Sequence, residues 1–94
     1  MSWWLIPACG ATTAARGPFV TVSTEAPPPP RSEPVEERDG EVRVRGVWQR
    51  RGDDWVWRSG RWQRARAGLV WRDAHWAFRA GRWHWVEGHW QRAP

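Results

Sequence analysis

The chain has 94 residues, eleven tryptophans, no tyrosine and a formal net charge of +5, with arginine as its only basic residue apart from three histidines. A chain this short suits one small domain, and a single cysteine, Cys9, excludes an intramolecular disulfide. Residues 1–40 hold three arginines against five acids, a net of −2, while residues 41–94 hold twelve against five, a net of +7, so the basic half is also the tryptophan-rich half.

In chain order, the first element is the apolar run Trp3-Trp4-Leu5-Ile6, which leads into Pro7-Ala8-Cys9. Ile6-Pro7-Ala8-Cys9 resembles a bacterial lipobox, with an aliphatic residue three places before, and a small residue one place before, the cysteine that receives lipid. A signal peptide needs a basic start and an apolar stretch of about 7–15 residues, and only eight residues, none basic, precede Cys9. The expectation is therefore a precursor that begins upstream, is lipidated at Cys9 and is anchored to the membrane. Gly10 stands where aspartate would retain a Gram-negative lipoprotein, so the resemblance implies the outer membrane or a periplasm-facing lipoprotein. If Met1 is the start, the address is cytoplasmic and Cys9 is a free thiol. Gly10 to Thr24 is small and polar, Pro27 to Pro30 is a stiff polyproline II run, and Arg31 to Asp39 is charged. Residues 1–40 thus read as a truncated export start followed by a disordered, proline-rich tether.

Residues 41–94 are a tandem repeat of period 14. Glu41–Asp54, Trp55–Gly68, Leu69–Arg82 and Trp83–Pro94 align without a gap. Gly46, Gly60, Ala74 and Gly88 share one column, Trp48, Trp62, Trp76 and Trp90 a second, and Arg43, Trp57, Trp71 and Trp85 a third. Glycine recurring in mid-segment, with no 3.6-residue apolar period, excludes a helix. The fold class expected is all-β: an antiparallel meander of consecutive short β-hairpins, about eight strands, after a disordered N-terminal region.

The register expected places a two-residue turn at each glycine column, because a type I′ turn needs positive φ and glycine adopts it freely. Gly46, Gly60, Ala74 and Gly88 are then turn residues, and Trp57 faces Trp62, Trp71 faces Trp76 and Trp85 faces Trp90. Four-residue connections at 51–54, 65–68 and 79–82 would bring Arg50 opposite Trp55, Arg64 opposite Leu69 and Phe78 opposite Trp83. Trp48, Trp55, Trp57, Trp62, Trp71, Trp76, Trp83, Trp85 and Trp90 fall on one face. Ala74, forced into a left-handed turn, would cost roughly 1–2 kcal/mol and make the third hairpin the softest. Arg43 caps the array, placed to lie on Trp48 as a cation–π pair.

The spacing W-x-x-G-x-W, complete in Trp57–Trp62 and Trp85–Trp90 and altered at Ala74 and at Arg43, resembles the bacterial WxxGxW tryptophan-rich repeat family of secreted and lipoprotein-like envelope proteins. The resemblance implies export and no particular molecular activity.

Candidate sites are few. No serine or cysteine nucleophile has a histidine in a recognisable motif, so an enzyme is not expected, nor is a cofactor or a small-molecule substrate. His75, His84 and His89 share the polar face without metal-ligand spacing, and Asp53, Asp54, Asp73 and Glu87 fall in expected turns. Arg58, Arg61 and Arg72 are candidate polyanion contacts. The tryptophan face could stack on sugars or bases, but it is also nearly the only core material, so packing is its first expected role. A single-layer sheet cannot cover that face, which calls for self-association, curling or a bound polymer. Two functional readings follow. One is a non-enzymatic structural or interaction protein of the bacterial envelope; the other is a soluble module that grips an acidic glycan or nucleic acid.

Overall fold

The computed structural model describes residues 17–94; Cys9 and the lipobox-like run lie outside the described residues. Every regular element among the described residues is a strand. Eight strands fall in the repeats: β3 (Glu41–Val44), β4 (Val47–Arg51), β5 (Asp54–Arg58), β6 (Arg61–Arg64), β7 (Leu69–Arg72), β8 (His75–Arg79), β9 (Arg82–Val86) and β10 (His89–Arg92). Two more precede them, β1 (Phe19–Val20) and β2 (Val22–Ser23). All pairings are antiparallel, so the all-β expectation holds.

The register differs from that expected. β4 pairs with β5 from Val47↔Arg58 to Arg51↔Asp54, and β3 pairs with β6 from Glu41↔Arg64 to Val44↔Arg61. Counting inward from either end, residues 45–46 lie opposite 59–60, so residues 41–64 form one long hairpin with a two-residue break in each arm. The second half repeats this plan. β8 pairs with β9 from His75↔Val86 to Arg79↔Arg82, and β7 pairs with β10 from Leu69↔Arg92 to Arg72↔His89. Adding 28 to each strand boundary of the first hairpin gives that of the second. The structural unit is therefore two 14-residue rows, and the molecule has four small sheets, of which β1-β4-β5 and β2-β9-β8 are three-stranded, in place of one meander.

The turns explain the difference. Positive φ falls at Gly52 (59°) in the first hairpin and at Ala80 (50°) and Gly81 (78°) in the second, and not at Gly46, Gly60, Ala74 or Gly88. Gly52 alone suits a type II′ turn and the Ala80-Gly81 pair a type I′ turn, the two connections whose twist matches that of a hairpin. Arg50 does face Trp55 and Phe78 does face Trp83. Arg64 faces Glu41 and Leu69 faces Arg92, contrary to the expected Arg64 and Leu69 pair. Ala74 carries no left-handed strain; Ala80 does.

The glycine column serves the breaks. A Cβ on Gly46 would run into the Trp57 indole, one on Gly60 would sit 2.6 Å from the Val44 carbonyl and the Arg43 guanidinium, and one on Gly88 would sit 2.7 Å from Trp71 Cζ2. Each glycine is the seat of the third-column side chain from the opposite arm. Trp57 thus faces Trp48 rather than Trp62, Trp85 faces Trp76 rather than Trp90, and Trp71 faces Trp90 rather than Trp76. The three pairs share one tilted edge-to-face geometry, with ring centroids 5.2–5.4 Å apart and planes at 64–66°, worth about 0.5–1.5 kcal/mol each beyond burial. Trp62 faces Arg43, whose guanidinium lies 5.6 Å from that ring; the expected stack on Trp48 is not formed.

Packing is thin. Val44 is the one buried apolar side chain among the described residues, no large side chain is fully buried, and the repeat tryptophans are half-buried. Between the hairpins, Trp55 meets Trp76 edge to face at 5.4 Å, Trp76 Nε1 donates to the Trp48 carbonyl at 2.8 Å, and the Arg45 main-chain N–H donates to Asp73 Oδ1 at 3.0 Å.

The described part of the expected tether is not free. β1 adds to the edge of β4 and β2 to the edge of β9, so residues 19–23 bridge the two hairpins. Phe19 packs on Trp85 with ring centroids 5.3 Å apart, and Glu25 pairs with Arg50 at 2.7 Å. The physical reason is that the half-covered tryptophans leave indole N–H groups and ring faces to satisfy. A chain poor in apolar residues can still supply carbonyls, carboxylates and guanidinium groups to them.

Candidate functional site

A concave feature of the fold lies between the two hairpins. Trp48 and Trp57 from β4 and β5, Trp76 from β8 and Trp83 from β9 line a cleft of about 580 Å³, with Pro27 to Pro30 along one side and Arg45, Asp73 and His75 among its polar lining. These side chains meet because β4 and β8 are corresponding strands of two hairpins locked by the Trp76 contacts. Its walls are aromatic and its polar groups few, the composition of a binding cleft rather than of a reaction centre.

The proline side of the cleft is fastened by Trp48 Nε1, which donates to the Pro29 carbonyl at 3.0 Å. Arg31 lies over Trp48 and Trp57, 5.0 and 5.7 Å from their ring centroids. Glu33 then closes the segment: its carboxylate accepts from Arg43 Nη2 at 3.0 Å, from the Gly60 main-chain N–H at 3.0 Å and from Trp57 Nε1 at 3.1 Å. The Gly60 N–H, the Trp57 indole and the Arg43 charge outweigh desolvation and hold this carboxyl below the usual carboxylate range.

Comparing rows shows why Glu33 is needed there. Trp71 Nε1 donates to Asp73 at 2.8 Å and Trp85 Nε1 to Glu87 at 3.3 Å, each acid lying two residues after its tryptophan. Trp57 is followed at that place by Ser59. Glu33 supplies the missing carboxylate from the N-terminal segment. Asp73 and Glu87 therefore sit in the ribbon breaks, not in hairpin turns. Sequence reasoning missed Glu33; the serine at the column's acidic place is the signal that could have raised it.

The arginine candidates separate. Arg58 and Arg61 flank the Ser59-Gly60 break and line a small groove of about 80 Å³ with Arg45 and Glu87. Arg72 is not part of it, and its Nε donates to Gln91 Oε1 at 3.2 Å. Of the histidines, His75 Nδ1 lies 3.1 Å from the Asp73 carbonyl and His89 Nδ1 lies 3.4 Å from the Glu87 carbonyl, two contacts related by one row. No group of three or more metal-ligating side chains occurs among the described residues. Of the nine repeat tryptophans, Trp48, Trp57, Trp76 and Trp83 line the cleft, Trp55 and Trp85 stack on Trp76, Trp71 and Trp90 pair with each other, and Trp62 takes Arg38 and Arg43.

Two aromatic-paired β-hairpins of identical plan define a tandem-repeat protein. Two copies of the WXXGXW repeat match in this chain, over residues 44–63 and 66–91, and each copy covers most of one long hairpin. No curated protein and no solved structure matches the chain.

Proposed function

We propose that this protein is a non-enzymatic interaction protein of the bacterial cell envelope, anchored by lipid on Cys9, and that the aromatic cleft between its hairpins is its working surface. The observation that carries the reading is the cleft itself. Trp48, Trp57, Trp76 and Trp83 provide stacking surface that the fold leaves half-exposed, and a small protein keeps such a surface out of solvent only by giving it to something. The lipobox-like Ile6-Pro7-Ala8-Cys9 and the family resemblance support the address.

Two measurements test the two halves of the reading. Metabolic labelling with a fatty acid should mark the full precursor and not its Cys9→Ser variant; equal labelling of both, or of neither, removes the anchor. A photo-crosslinking residue in place of His75, at the cleft, should give discrete adducts in envelope fractions that Trp83→Ala weakens. The same residue in place of Arg79, at the hairpin tip, should give none. Identical adducts from both positions would remove the cleft.

Arg45, Arg58 and Arg61 around one groove favour a second reading, a polyanion module for acidic glycan or nucleic acid. Binding of that kind falls steeply with salt and is reduced by exchanging Arg58 and Arg61 for glutamine.

A further inference from the structure

Residues 27–33 lie on the first hairpin as a ligand lies on a receptor. A proline run has no N–H to donate and offers only carbonyls along a rigid extended helix. An indole N–H on an aromatic floor is a group that reads such a carbonyl while the rings pack beside it. Trp48 does this to Pro29 at 3.0 Å. Arg31 then stacks on the Trp48 and Trp57 faces, and Glu33 takes three donors at once from Arg43, Trp57 and Gly60. The receptor groups belong to the hairpin and the ligand groups to the segment. The charges are complementary, with Arg43 against Glu33. Pro29, Pro30 and Arg31 remain exposed on their outer side, and the cleft continues past the prolines to Trp76 and Trp83.

We propose that the Trp48 and Trp57 face of the first hairpin is a recognition site for an extended proline-rich segment of another protein, of the form Pro-Pro-Pro-Arg-x-Glu. Residues 27–33 are a built-in mimic of that ligand and occupy the site in cis. The proposal rests on the reading of the cleft as an interaction surface and narrows it to one ligand class. A partner binds by displacing the mimic, so its apparent affinity is set by the fraction of molecules whose site is open.

The test uses the full chain and a synthetic peptide of residues 26–35. The Arg31→Ser, Glu33→Gln double variant should bind the peptide saturably, read as a change in tryptophan emission. The wild type should bind it about tenfold more weakly, because the cis segment holds most sites closed. A peptide with glutamine at the position of Glu33 should lose about tenfold, as expected when a charge-assisted set of hydrogen bonds is removed. Adding Trp48→Phe to the double variant, which deletes the indole N–H and keeps an aromatic ring, should also weaken binding. A double variant that keeps its near-ultraviolet circular dichroism but shows no saturable response overturns the proposal. If the double variant loses that signal, Glu33→Gln alone is titrated under the same criteria. Wild-type dimers that Trp48→Phe dissociates would make a second copy the occupant and overturn a foreign one. Failure of the peptide with persistence of the His75 crosslinks would remove the ligand class and leave the cleft reading standing.

Discussion

Trp76 donates its indole N–H to the main-chain carbonyl of Trp48, 2.8 Å away, and Trp48, which holds the same place one hairpin earlier, donates its own to the carbonyl of Pro29 at 3.0 Å. The N-terminal segment therefore stands toward the first hairpin as the first hairpin stands toward the second. Trp76→Phe keeps an aromatic ring against Trp55 and Trp85 but deletes the donor. Chemical denaturation should show a loss of about 0.5–1.5 kcal/mol. An unchanged midpoint would mean that the bond between the hairpins contributes nothing to the folded state.

The register makes a prediction about coupling. Facing residues in one sheet share an interaction energy that a double-mutant cycle isolates. Substituting Trp48 and Trp57 singly and together should reveal a coupling of about 0.5–1.5 kcal/mol, because these rings stack at 5.2 Å. The same cycle for Trp57 and Trp62, which belong to different sheets, should give much less. The reverse ranking would restore the hairpin turn at Gly60.

Backbone conformation separates two kinds of glycine position. Ala80 sits at a φ of 50°, so Ala80→Gly should stabilise the second hairpin by about 1 kcal/mol, the cost of a left-handed alanine. Gly88→Ala should destabilise it by about 1–3 kcal/mol through overpacking, because the new methyl would lie 2.7 Å from Trp71 Cζ2. Thermal melts of the two variants should therefore move in opposite directions.

Glu33 links stability to pH. Its carboxyl is held below the ordinary value of 4.5, first by the Gly60 N–H and then by Trp57. A carboxylate favoured in the folded state contributes stability above the unfolded value, and that contribution is lost as pH falls through the folded value. Stability measured from pH 6 downward should therefore decline below about the unfolded carboxylate value, and Glu33→Gln should remove that part of the slope while lowering stability at neutral pH. Parallel curves for the two proteins would show that Glu33 is not a source of the acid sensitivity.

Much of this arrangement is legible in the residues. The 14-residue rows, the antiparallel strands, and the facing pairs Arg50 with Trp55 and Phe78 with Trp83 follow from alternation and spacing. The position of the turn does not, because W-x-x-G-x-W fits both a two-residue turn and a broken ribbon, and either brings aromatic columns face to face. Gly52-Asp53 and Ala80-Gly81 carried the turn chemistry, but they differ between rows and so escape a consensus. The contacts of residues 19–33 are harder still. Composition shows that this segment cannot build a core alone, and says nothing of whether its carbonyls and carboxylates match donors left open elsewhere. Only the row alignment, with Ser59 where Asp73 and Glu87 stand, exposes the vacancy that Glu33 fills.

The offset of 28 residues between the hairpins sets how such a protein can grow or shrink. A single row supplies one outer and one inner strand on the same arm, and neither can pair with the other. Removing the last row alone would strip β7 of β10 and β8 of most of β9, leaving two ladders of unpaired amides and carbonyls and depriving the Trp71 and Trp76 rings of Trp90 and Trp85, which face them. Duplications and deletions that preserve a folded chain must come in even numbers of rows, although the sequence itself counts in ones.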